Sequence, residues 1–181
     1  MKPRKPLLPR GAKRVFKGVI FDVYHWRQKL FDGSLATFEM LKRPDTVQVI
    51  AVHGNKIMVC REEQPGKKPF WSAPGGRIDP GEDPLAAAKR ELREETGYAS
   101  DDFDLWLCER PYSKMDWLVY VYIARNCRRV GSQKLDAGER IKVRFVSLDK
   151  FLTLSDNTTL HDREIVRQLY RMRLNPNERA Q

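Results

Sequence analysis

The sequence predicts an α/β sandwich built on a mixed sheet. Short runs rich in Val, Ile, Phe, Tyr and Trp recur along the chain, set apart by turns containing Gly and Pro. One central stretch breaks that rhythm, with strong helix formers held between capping residues. A second helical stretch is expected near the end of the chain. Strands interrupted by two or three helices call for helices laid on a sheet. The 181 residues, 41% apolar and 32% charged, suit one soluble globular domain that needs no disulfides to bury its core. No apolar run approaches the ~20 residues that cross a bilayer, so a membrane-spanning protein is not expected.

The elements follow in order. Residues 15–30 read as one strand, Asp32-Gly33 as a hairpin turn and Ser34–Lys42 as the returning strand. Thr46–His53 and Lys56–Arg61 form a second hairpin across Gly54-Asn55. A loop at 64–69 leads to a short buried strand, Phe70–Ala73, which Pro74-Gly75-Gly76 ends. Asp83 is a good helix N-cap, Pro84 fits the first helical position and Gly97 the C-terminal stop. Strands are expected at 103–109, 117–126 and Ile141–Ser147, loops near Pro111 and at 131–139, a short helix at Leu148–Phe151 and a terminal helix at about 160–173.

The net charge of +10 is unevenly spread. Residues 1–17 hold seven basic side chains and no acid, leaving 27 basic against 24 acidic residues in the body. Residues 1–14 are a basic arm, suited to anionic partners such as nucleic acid or simply a solvated terminus. Its three prolines argue against a helical transit peptide, and the apolar pair Leu7–Leu8 is too short for a secretory signal. Cys60, Cys108 and Cys127 are odd in number and show no metal or redox spacing, which points to a reducing, cytoplasmic setting. His25, His53 and His161 have no spacing that suggests a metal site or a triad.

Chemistry concentrates on the central helix. At about 100° per residue, Glu91, Glu94 and Glu95 share one arc about 100° wide, with small Ala87 beside them. Like charges at that spacing repel, and Arg90 alone cannot balance all three. A hard divalent cation can, because Mg²⁺ prefers oxygen ligands; the alternative is an ordinary solvated acidic face. Ahead of the helix, Gly75 lets the backbone approach a ligand and can offer its carbonyl, while Glu82 sits near the positive end of the helix dipole.

The string Gly76-x5-Glu82-x7-Arg90-Glu91-Leu92-x-Glu94-Glu95-x-Gly97-Tyr98 resembles the signature of the Nudix hydrolases, G-x5-E-x7-R-E-U-x-E-E-x-G-U with U apolar. All the fixed positions match. The resemblance implies an α/β/α sandwich, with 43–181 as the hydrolase domain and 15–42 as a small antiparallel strand region that builds a homodimer. It implies hydrolysis of a nucleoside diphosphate linked to another group, by water attacking phosphorus with Mg²⁺, or Mn²⁺, as cofactor. It assigns Glu91, Glu95, Glu94 and the Gly75 carbonyl to the metal, with Glu94 and Arg90 also assisting catalysis. Arg90 and Glu82, with Gly76 and Gly97, support the geometry.

Outside that string, residues 15–150 resemble the branch containing ADP-ribose pyrophosphatases and related sugar-nucleotide hydrolases. That likeness implies a base-stacking role for Phe38, a substrate contact for Arg43, and a mobile-loop glutamate, Glu139, that orients or deprotonates the attacking water. Where the branch often carries an arginine before a proline, this chain has Gln64 before Pro65, and Arg61 stands nearby as a substitute substrate contact. The implied reaction is ADP-ribose to AMP and ribose 5-phosphate. Other sugar or dinucleotide diphosphates, 5′ ends of RNA, and a nucleotide-sensing module without turnover are the alternatives.

Overall fold

A computed structural model describes residues 6–156, 159–175 and 177; residues 1–5 of the basic arm lie outside that set. Among the described residues, thirteen strands and three α-helices form. In chain order they begin with β1 (Lys13–Lys17), β2 (Asp22–Lys29), β3 (Leu35–Lys42), β4 (Thr46–His53), β5 (Lys56–Glu63), β6 (Phe70–Ser72) and β7 (Gly75–Arg77). Then come α1 (Pro84–Thr96), β8 (Tyr98–Ala99), β9 (Asp102–Glu109), β10 (Met115–Asp116), β11 (Val119–Arg125), β12 (Arg128–Arg129), β13 (Arg140–Val146), α2 (Leu148–Thr153) and α3 (Arg163–Leu174).

The main sheet runs β13-β5-β4-β11-β9, with β6 added to β5 and β7 to β4. It is mixed, because β11 is parallel to β4 while its other pairings are antiparallel. Alternation along β4 serves both faces. Val47, Val49 and Ala51 pack with Ala87, Ala88 and Leu92 of α1. Ile50 joins Phe151 and Leu152 of α2 and Ile165 and Leu169 of α3 on the other side. Helices thus cover both faces, the α/β/α sandwich that the sequence predicts.

The amino-terminal strands form a separate sheet, β1-β2-β3-β10. Its hairpin turns at Asp32-Gly33 as expected: Asp32 Oδ1 accepts the N–H and the hydroxyl of Ser34, and Gly33 takes φ +86°. The single strand expected over 15–30 is instead two. The chain folds back where the Gly18 N–H donates to the Phe21 carbonyl at 3.1 Å, and a Cβ on Gly18 would strike that same oxygen. Apolar content marks a strand but not a reversal inside it.

Two further differences matter for the site. Pro74 ends β6, as read, but Gly75–Arg77 then pairs with β4 instead of forming a loop. Gly75 makes this possible, since a Cβ there would lie 2.9 Å from Gln48 Cα. Met115–Asp116 adds a parallel strand to β3, which joins the amino-terminal sheet to the segment before β11.

Candidate active site

The central helix is built from its caps. The Asp83 carboxylate accepts the N–H groups of Leu85 and Ala86 at 2.9 and 3.3 Å, Pro84 opens the helix and Gly97 closes it at φ +75°. Last-turn carbonyls of a helix lack partners within it. Here residues 130–134 supply them: Lys134 N–H donates to the Glu94 carbonyl at 2.7 Å, the Gln133 amide to that of Glu95, and Val130 N–H to that of Gly97. The same loop then carries Asp136 and Glu139 forward.

A cavity of about 590 Å³ opens between α1, β7 and this loop. Glu62, Glu91, Glu94, Glu95 and Glu139 line it. Arg43, Arg77, Arg90 and Lys134 line it as well, so acidic and cationic side chains share one cavity.

Arg90 organises the acids. Its Nε and one terminal nitrogen grip both oxygens of Glu82 at 2.9 Å each, a bidentate pairing. Its other terminal nitrogen donates to Glu91 at 2.8 Å and Glu94 at 3.2 Å. The grip on Glu82 holds that carboxyl below its ordinary range and, with the neighbouring acids, raises the guanidinium. Glu95 is almost fully buried and accepts the Gly75 N–H at 2.8 Å. Burial foremost pushes it up to about 9 against that hydrogen bond, with Glu62, Glu91 and Glu139 adding repulsion. Burial likewise raises Glu91, Glu62 and Glu139. Gly76 lies so close to Glu91 that a Cβ would enter its carboxylate.

Glu62 was not apparent among the candidate residues of the sequence. It is buried on β5 and bonded to the Ser72 hydroxyl. The available signal was an acid at an inward position of an alternating strand, two after buried Cys60. That alternation also places Arg61. Arg61 is not brought to the cavity: it points to the opposite face of β5, where it donates to the Pro69 carbonyl at 2.7 Å and lies 5.4 Å from the Trp71 ring centre. Phe38 is also outside the cavity, packed on Trp26 with Lys114 Nζ 5.3 Å from its ring centre. Gln64 does line the cavity. So does Arg43, seated 4.5 Å from the Trp117 ring centre and 5.6 Å from that of Phe21.

Residues 42–169 match the NUDIX domain family. The chain belongs to the Nudix family. Its enzymes are hydrolases, and this Nudix hydrolase is 30% identical over 158 residues to an "ADP-ribose pyrophosphatase" of Bacillus subtilis (strain 168), covering 84% of each chain. It is 45% identical to an "RNA pyrophosphohydrolase" of Rhizobium meliloti (strain 1021), but over only 67 residues, 37% of this chain and 36% of that one. Its fold is like that of a structure titled "Crystal structure of ADP compounds hydrolase", with a TM-score of 0.75, 21% identity and 96% and 95% of the two chains covered.

Proposed function

We propose that this Nudix hydrolase cleaves ADP-ribose to AMP and ribose 5-phosphate, with other ADP-linked compounds as lesser substrates. The observation that carries the reading is one cavity lined by five glutamates together with Arg43, Arg77 and Lys134. A diphosphate needs both: acids to hold cations against it and basic groups to meet its free oxygens. The 84% coverage of an ADP-ribose pyrophosphatase supports this substrate over RNA 5′ ends, where likeness is confined to 67 residues.

The donor set suits magnesium or manganese. Among the described residues no three acidic, His or Cys side chains close on one point by themselves. Mg²⁺ does not require that, because it keeps several waters and binds through one or two carboxylates plus substrate phosphates. Glu91, Glu94 and Glu95 with the Gly75 carbonyl are the assigned ligands. When bound, the cation neutralises charge on the bridging and leaving oxygens and acidifies water. Arg90, anchored on Glu82, orients Glu91 and Glu94. Glu139, half-buried at the end of its loop, takes the proton of the attacking water as the new P–O bond forms. The bridging P–O bond breaks and its electron pair leaves with the departing phosphate. Arg43 contacts the nucleotide beside Trp117.

Three broader assignments accompany this one. Residues 15–42 form a dimerisation segment and 43–181 the hydrolase domain. Support comes from the exposed apolar side chains Val15, Phe16, Val19, Phe31 and Leu35 in and beside β1–β3, a patch that a second copy would bury. A cytoplasmic location fits the three free cysteines, and no helix among the described residues is long and apolar enough to cross a membrane. The basic arm is available to nucleic acid but carries no part of the reaction.

The test is a product analysis by mass after incubation with Mg²⁺ and ADP-ribose, sugar nucleotides, dinucleoside polyphosphates, NADH or 5′-triphosphate RNA. AMP and ribose 5-phosphate formed fastest is the expected result. Faster release of pyrophosphate from RNA would overturn the substrate assignment.

A further inference from the structure

The segment before α3 is bound to the strand that leads into the metal loop. Trp71 N–H donates to the Thr159 carbonyl at 2.9 Å and His161 N–H to the Trp71 carbonyl at 3.0 Å. Leu160 bridges Trp71 in parallel register, and the His161 ring stacks on Phe70 with centres 3.9 Å apart. Asp162 follows, buried, at the N-cap position of α3. Its side chain makes no capping hydrogen bond there, although capping is the usual work of Asp at that position.

Its carboxylate is used elsewhere. One oxygen accepts the Ala73 N–H, and the other accepts the Gln48 side-chain amide at 2.8 Å. Ala73 immediately precedes Pro74-Gly75-Gly76. Gln48 lies directly opposite Gly75 across β4 and β7. One carboxylate therefore ties the strand entering the loop to the strand facing it, and Gly75 N–H in turn holds Glu95. The buried Gln48 Oε1 has no partner in this orientation.

We propose that Asp162 is a positioning residue of the active site, setting the height of the Pro74–Gly76 segment over α1 so that Gly75 meets Glu95. The N-cap of the carboxy-terminal helix is thereby tied to the active site, although α3 carries no residue of the cavity. The proposal rests on the reading of Gly75 and Glu95 as metal ligands.

The test compares D162A, D162N and, as a packing control on the same helix, L169A. The readouts are Mn²⁺ affinity by calorimetry without substrate, amide exchange at Ala73 and Gly75, thermal midpoint, and kcat and KM. Loss of an outer partner to a metal site typically costs about 10- to 100-fold in affinity or activity. On that scale, D162A is expected to bind Mn²⁺ about 10-fold more weakly, to lower kcat about 10- to 100-fold with KM within about twofold, and to exchange faster at both amides. D162N keeps an acceptor for Ala73 and offers an N–H to Gln48 Oε1 once that amide turns over, so it should restore most of each. L169A should lower the midpoint and leave Mn²⁺ affinity and kcat near wild type. D162A with wild-type affinity and turnover overturns the proposal. So does a D162N no better than D162A, or a loss in L169A that matches D162A. If D162A does not fold, Q48A is expected to show the same pattern more mildly, and wild-type values in it overturn the proposal. A wild-type protein that binds no Mn²⁺ would overturn the metal reading instead, leaving amide exchange at Ala73 and Gly75 to decide the role of Asp162.

Discussion

Replacing Gly76 by alanine separates chemistry from folding in this enzyme. The added Cβ would lie 2.6 Å from the Glu91 carboxyl carbon and 2.8 Å from one of its oxygens, where ordinary contact begins at 3.4 Å. The other oxygen, Oε1, would lie closer still, so the carboxylate must retreat by about 1 Å, and as the end of a flexible side chain it can do so cheaply. It then leaves its 2.8 Å bond to Arg90 and its place in the cavity. A displacement of about 1 Å at a reacting centre costs on the order of 10²-fold in rate. G76A should therefore lose between about 10- and 100-fold in kcat, with a melting temperature within about 2 °C of wild type. The paired variant G75A behaves in the opposite sense. Its Cβ meets backbone, Gln48 Cα at 2.9 Å and the Val47 carbonyl carbon at 3.1 Å, and a paired strand cannot yield. Overpacking of that kind costs about 1–3 kcal/mol, so G75A should melt several degrees lower. Steady-state kinetics and thermal melts of the two proteins decide the matter. A G76A enzyme with wild-type turnover would refute the placement of Glu91 at the reacting centre.

Three other outcomes are expected. R90K keeps the charge but cannot grip Glu82 with two bonds while reaching Glu91 and Glu94; allowing for its partial exposure, it should cost about 1–2 kcal/mol in urea melts and lower kcat by at least about 10-fold. Asp162 has a folded pKa of about 7 against 3.8 for a free carboxyl, with burial the main cause, Glu62 and Glu164 adding repulsion and the Ala73 N–H opposing. The folded state holds that proton while the unfolded state has released it, so this group's contribution to stability falls as pH rises from about 4 to about 7, by up to about 4 kcal/mol. D162N should remove the fall, and stability–pH curves that run parallel to wild type would contradict it. E139Q should lower kcat much more than it changes KM, whereas E62Q should weaken Mn²⁺ binding less than E95Q does, as titration calorimetry would show.

The helix that bears the three glutamates was legible because its signals are local. Asp83, Pro84 and Gly97 state its limits, and the spacing of Glu91, Glu94 and Glu95 states their common face. Both hairpin turns were legible for the same reason. What escaped depends on partners distant in sequence. Nothing near Gly18 announces a reversal inside an apolar run. The two-residue strand at Met115–Asp116 exists only because β3 offers it an edge. Glu62 enters the site and Arg61 leaves it by the alternation of β5, whose inward face is set by the partners of that strand. Asp162 stands at the N-cap position of α3, and only the fold brings Ala73 and Gln48 within its reach.

The bonds from residues 130–134 to the end of α1 decide how far the glutamate loop can travel. Lys134 is pinned by its backbone to Glu94, and Arg140 is already paired with Glu63 in β13. Only residues 135–139 lie between these anchors, a span no longer than about 18 Å when fully extended. Any swing of Glu139 is therefore a short arc about a pivot on the helix that bears Glu91 and Glu95. Moving Glu139 would bend those five residues and leave the three α-helices and three sheets of the described residues in place.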